Sequence, residues 1–118
     1  MINFLIVGFG GFIGSVARYF FGYIPVFANL AFPVSTLLVN FIGSFLIGII
    51  NSSAIDFKLN LFFKIGFCGG LTTFSTFSLE VINMIETGKV FLAVVYCFTS
   101  ILISVFGAFL GSKIILIF

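Results

Sequence analysis

Histidine and tryptophan are absent from this chain of 118 residues, and charge is scarce, with five lysines and arginines against three aspartates and glutamates. Without histidine the chain lacks the commonest metal ligand and the usual general base near neutral pH. Only two cysteines are present, Cys68 and Cys97. Both fall inside apolar stretches without metal-ligand spacing, which reads as inert buried thiols. No basic run invites nucleic acid, and no acidic tail invites a charged partner. Nothing in this inventory points to an enzyme. Charged residues make up 7% of the chain, where a soluble domain carries roughly 25% to keep its surface hydrated. So few charges exclude a water-soluble globule.

What is there is apolar: 62% of the residues are hydrophobic and 20 are phenylalanine. Lipid is the solvent that such a composition requires, and the length suits one transmembrane domain. A helix crosses the hydrocarbon layer with about 20 mostly apolar residues. Four such segments are predicted, over about 2–23, 34–52, 61–85 and 90–118. The first stops before Pro25, and the second begins just after Pro33, a favourable helix-start residue. Asp56, Lys58 and Asn60 form a polar connection, and Glu86, Gly88 and Lys89 form the next turn. The first segment has no basic leader region and no small-residue cleavage site, so it is expected to be retained as a helix. The expected fold is an all-α integral membrane protein with both termini on one side.

Orientation follows the basic residues that flank each span. Lys58, Lys64 and Lys113 fall on one side, and Arg18 and Lys89 on the other. So even a balance is compatible with insertion both ways and antiparallel pairing, and equally with one orientation fixed by a slight bias or by a partner protein. Four short helices enclose a polar path poorly, which makes a dimer the more credible transport unit.

Polar residues recur on single helix faces. Gly8, Gly11, Ser15, Arg18 and Gly22 form a stripe in the first span, which for the glycines predicts close helix packing. Arg18 either snorkels to the interface or lines a vestibule that draws in anions. Thr36, Asn40, Ser44 and Gly48 share a face of the second span, where Asn40 serves interhelical bonding or donates to a passing anion. In the third span, Gly69-Gly70 followed by Leu71-Thr72-Thr73-Phe74-Ser75-Thr76-Phe77-Ser78 makes a poor helix. The helix is therefore expected to break near mid-membrane, which is tolerated only where backbone is buried in protein or lines a cavity. Phe74 and Phe77 share a face, and aromatic ring edges are electropositive. Tyr96, Ser100 and Ser104 set a hydroxyl ladder on the fourth span. Glu80 is the carboxylate furthest inside a span, yet it lies toward one end. Donors outweigh buried carboxylates, which favours an anion.

These motifs together resemble the small bacterial fluoride channels, the Fluc or CrcB proteins. The match rests on Gly8-x-x-Gly11-x-x-Gly14 with Arg18-Tyr19, on Asn40 with Gly43, and on the Tyr96, Ser100, Ser104 ladder. Its most specific part is the run from Gly69 to Ser78. The resemblance implies a multi-pass protein of the inner cell membrane, an antiparallel dual-topology homodimer, that lets fluoride leave passively and so lowers its toxicity. It implies a pathway of Asn40, Phe74, Phe77, Ser75, Thr76, Tyr96, Ser100 and Ser104, with Arg18 at a vestibule. It also implies a structural sodium ion between the subunits, held by the backbone carbonyls of Gly69 and Thr72. Fluoride is small and strongly hydrated, so a passive pore must replace its water with several moderate donors. The rivals are a small multidrug-type transporter, which relies on a carboxylate in its first span where this chain has none, and an assembly subunit of a membrane complex. The latter would account for glycine stripes but not for polar ladders on several helices.

Overall fold

A computed structural model describes residues 1–28 and 30–118. Among these residues there is no strand, and four helices are long and apolar enough to cross a membrane: Ile2–Gly22, Val34–Ser52, Phe57–Glu86 and Val90–Ile117. They are called the first to fourth spans below. The fourth has 28 residues, about 42 Å of helix at 1.5 Å per residue. That exceeds a hydrocarbon core of about 30 Å, so this span must tilt or protrude.

Local chemistry sets the ends. The carbonyl of Pro33 accepts from the Leu37 N–H at 3.2 Å and opens the second span. The third span starts four residues earlier than the sequence pattern predicts. The reason is Asp56, whose carboxylate accepts from the Lys58 N–H at 2.9 Å and caps a first turn, Phe57–Asn60. Lys58 and Asn60, read from the sequence as connection, are thereby helical. At the other end Gly88 adopts φ +80. This left-handed residue lets Gly88 N–H reach the Ile85 carbonyl at 3.1 Å and Lys89 N–H reach Met84 at 2.8 Å. The pattern ends the helix in two residues and turns the chain into the fourth span.

The four spans pack as two pairs. The second lies along the fourth, and the first lies along the leading half of the third. The third then crosses over, so that its trailing half, Ser75–Glu86, packs on the fourth span. Within the leading half, Leu61–Cys68 is wound as a wider π-type helix, a geometry often found near functional sites. Residues 72–74 lie outside any helix.

Close backbone approach depends on glycine in both pairs, and only in part on the glycines of the expected stripe. Gly8 and Gly22 face open space in this chain. Gly10 and Gly14, one helical turn apart, instead meet the backbone of the third span. A Cβ on Gly14 would run into the Phe67 carbonyl and lie 2.8 Å from the Leu71 nitrogen. Of the stripe read from the sequence, Gly8 and Gly22 face away, while the Gly11 carbonyl and the Ser15 nitrogen lie against Gly70 of the third span. In the other pair, Gly48 meets the Ala108 carbonyl and Gly111 meets that of Phe45. Such contacts drive association in lipid, where no hydrophobic effect acts between helices.

The protein interior is thin. Val39, Cys68, Leu71 and Tyr96 are its most completely buried side chains, and Met84, Ala93 and Tyr96 form one cluster with Phe77 packed against it. Phe4, Phe9, Phe12, Phe91, Phe98 and many others project outward. In water such a surface would aggregate; in a bilayer it is the solvated face.

Candidate functional site

The site is built around residues 72–74. Thr72 leaves the helix at φ −79, ψ 155, and two of the helical hydrogen bonds that would cross this point are redirected to side chains. Thr73 N–H, which in a continuous helix would reach the Gly69 carbonyl, donates to Asn40 Oδ1 at 2.8 Å. Asn40 Nδ2 in return donates to the Thr73 carbonyl at 3.1 Å. Thr76 N–H, which would reach the Thr72 carbonyl, donates to Thr73 Oγ1 at 3.1 Å. An amide left unpaired in an apolar medium costs several kcal/mol, so Asn40 and the Thr73 hydroxyl are what make this backbone tolerable.

One consequence concerns the carbonyls of Gly69 and Thr72. Both lose the N–H groups that a helix would give them. Two carbonyl oxygens three positions apart along one stretch of backbone are hard donors, the type that suits a hard monovalent or divalent cation. Gly69 lies on the protein exterior, so oxygens of one chain leave room for donors from elsewhere. The donor chemistry of these carbonyls fits a hard cation such as sodium.

On one side of this backbone lies a cleft of about 310 Å³. Asn40 and Ser44 of the second span, Phe74 and Phe77 of the third, and Ser100 and Ser104 of the fourth all face it. The Phe74 and Phe77 rings stand 5.3 Å apart at 44°, with Phe74 77% exposed. Phe77 is held from behind by Tyr96, ring to ring at 5.1 Å. Ser100 Oγ is buried and has no hydrogen-bond partner among the described residues. A buried hydroxyl without a partner is uncommon and points to a group that a bound species completes.

On the other side lies a larger cleft of about 670 Å³ at the Arg18 end of the bundle. Arg18, Tyr19 and Ser15 line it from the first span, Thr36 from the second, and Thr73, Thr76 and Glu80 from the third. Glu80 accepts from the Thr36 hydroxyl at 2.6 Å on one oxygen and from the Tyr96 hydroxyl at 2.6 Å on the other. Tyr96 is fully buried and lines neither of the two clefts. Glu80 is the residue that sequence reasoning set aside. Its partners are 44 and 16 positions away, so no spacing within its own helix announces them. Ser75 and Thr76 are exposed at the head of the trailing half-helix, with Thr76 turned into this cleft.

The arrangement is rich in hydroxyl and amide donors, and Glu80, the carboxylate lining it, accepts hydroxyl hydrogen bonds on both oxygens. It can receive an anion by hydrogen bonds and offers nothing for bond-breaking chemistry.

Comparison with known proteins adds the lineage. The family model described as CrcB-like protein, Camphor Resistance (CrcB), matches residues 5–112. A protein of Ruminiclostridium cellulolyticum named fluoride-specific ion channel FluC is 42% identical over 97% of this chain and 92% of its own length. Relatives of the same name occur in Pyrococcus horikoshii, at 42% identity over 86% of each chain, and in Chlorobaculum tepidum, at 44% identity over 81% of this chain and 80% of the relative. With four spans and a match along nearly its whole length, the chain is a multi-pass membrane protein that belongs to the CrcB-like family.

Proposed function

We propose that the protein is a fluoride-selective channel of the cell membrane through which fluoride leaves the cytoplasm down its gradient. The observation that carries this reading is the cleft where Asn40, the edges of Phe74 and Phe77, and the partnerless hydroxyl of Ser100 converge. It is supported by relatives named for fluoride conduction. Fluoride sheds water only where closely spaced donors replace it, and it escapes only where no single contact holds it too firmly. Hydroxyls, an amide and aromatic edges meet both needs. Arg18, in the wider cleft, raises the local anion concentration without gripping the ion.

In this reading the conducting unit is an antiparallel homodimer of dual topology, and the third span is broken near the middle of the bilayer. Two observations support a second copy. The small-residue face of Gly8 and Gly22 is uncovered in one chain, and so is Gly69. Phe74 and its cleft are likewise open to the outside. On a two-fold axis the carbonyls of Gly69 and Thr72 from both copies would hold a structural sodium ion, whose charge would pin the two broken helices together. The pathway residues of the proposal are Asn40, Phe74, Phe77, Ser75, Thr76, Tyr96, Ser100 and Ser104. Glu80 joins them as the carboxylate that orients the Thr36 and Tyr96 hydroxyls.

The test is ion efflux from liposomes that hold the purified protein, loaded with fluoride or with chloride. Rapid fluoride release with chloride retained is expected. Folded protein that releases no fluoride overturns the proposal.

A further inference from the structure

Thr73 occupies a position that no other described residue shares: it lines both clefts. It is 8% exposed, and each of its polar groups has a separate task. Its N–H and C=O are both bonded to Asn40, on the side of the narrower cleft. Its hydroxyl accepts from Thr76 N–H at 3.1 Å, donates to Thr76 Oγ1 at 3.1 Å and lies 3.3 Å from Ser75 Oγ.

A hydroxyl has one proton to give. Because Thr73 gives its own to the Thr76 oxygen, the Thr76 proton stays free to be donated elsewhere, toward the wider cleft. The same hydroxyl, taking the Thr76 N–H, fixes where the trailing half-helix begins. Phe77 rides on that half-helix and Phe74 immediately precedes it, so its first turn sets their ring directions as well.

We propose that Thr73 is a positioning residue for fluoride passage, whose hydroxyl holds the donors of one cleft in register with the aromatic pair of the other. The inference rests on the fluoride-channel reading. Its substance is that the hydroxyl, not the volume of the side chain, is what passage requires.

The experiment compares wild type with Thr73→Val, which keeps the shape and removes the hydroxyl, and with Thr73→Ser, which keeps the hydroxyl. Fluoride efflux is measured across a range of fluoride concentrations, beside thermal melting and size-exclusion elution in detergent. For the valine variant the maximal flux is expected to fall at least about tenfold, the scale of one lost charge-free hydrogen bond, with elution unchanged. The serine variant is expected to stay within about threefold of wild type, since serine caps a helix as well as threonine does. Wild-type flux in the valine variant, or equal loss in the serine variant, overturns the role. Should the valine variant not fold, Thr73→Ala read against Thr73→Ser decides: loss of flux in the alanine variant with flux kept in the serine variant supports the proposal, and full flux in the alanine variant overturns it. Wild-type protein that passes no fluoride would reject the channel reading itself, while a fully active valine variant rejects only the part assigned to Thr73.

Discussion

Asn40 and the Phe74–Phe77 pair face one cleft from different spans, and their chemistry differs. Asn40 spends its amide on the Thr73 backbone at 2.8 and 3.1 Å, which leaves one of its two N–H protons for an ion. The rings offer only weakly positive edges, at a spacing of 5.3 Å. Replacement by isoleucine keeps the bulk and the apolarity but removes the edge. Phe74→Ile and Phe77→Ile are each expected to lower fluoride efflux at least about tenfold, one contact of about 1.4 kcal/mol at the ion, with elution in detergent unchanged. Full flux in both variants would take the rings out of the mechanism. Phe77 carries the further duty of packing on Tyr96, so its variant should also melt at a lower temperature than that of the exposed Phe74.

At the scale of elements, the glycine contacts decide how near two helix axes come. Gly14 faces the Phe67 carbonyl and the Leu71 nitrogen, and neither backbone atom can rotate aside. Gly14→Ala is therefore expected to destabilise the folded chain by about 1–3 kcal/mol, the usual cost of overpacking, seen as a lower melting temperature in detergent. An unchanged melting curve would mean that the two helices have slack at this point. The pattern in the sequence does not select this residue. Gly8, Gly10, Gly11 and Gly14 are each compatible with helical spacing, and which pair meets a neighbour depends on the direction from which the third span arrives. Pro33 and Gly88, by contrast, were legible as boundaries because each acts through its own backbone. The Asp56 cap, which draws Lys58 and Asn60 into the helix, is a side-chain choice between loop and helix that a polar cluster leaves open. The candidate pathway divides in the same way. Asn40 and the hydroxyl ladder were visible as polar atoms in greasy helices. Glu80 was not, since its two hydroxyl partners come from other spans.

For the whole molecule, the near balance of basic residues between its ends becomes a lever. Ser52 and Ala54 are exposed beside the end that holds Lys58, Lys64 and Lys113. Adding Ser52→Lys with Ala54→Lys should commit every copy to one orientation. If the conducting unit pairs opposite copies, flux from such membranes falls at least about tenfold, since Lys and Arg bias sets insertion almost wholly. Co-expression with a copy biased the other way, through Asn83→Lys, Glu86→Lys and Lys113→Gln, should restore it. Undiminished flux from the single biased copy would exclude antiparallel pairing.

The mutual bonding of Asn40 and Thr73 also imposes a sequence of events on biogenesis. A segment entering lipid alone must satisfy its own amides, so the third span is expected to enter the bilayer as one unbroken rod, with the Thr73 N–H on the Gly69 carbonyl. Opening is then expected only once the second span lies alongside and presents Asn40 as the substitute partner. Maturation is then a rearrangement within the bilayer, later than translocation and separate from it. A chain carrying Asn40→Leu should insert normally yet stall at the rod stage. Amide exchange at Thr73 would then be as slow as at its helical neighbours, and fast exchange there would show that the backbone opens unaided.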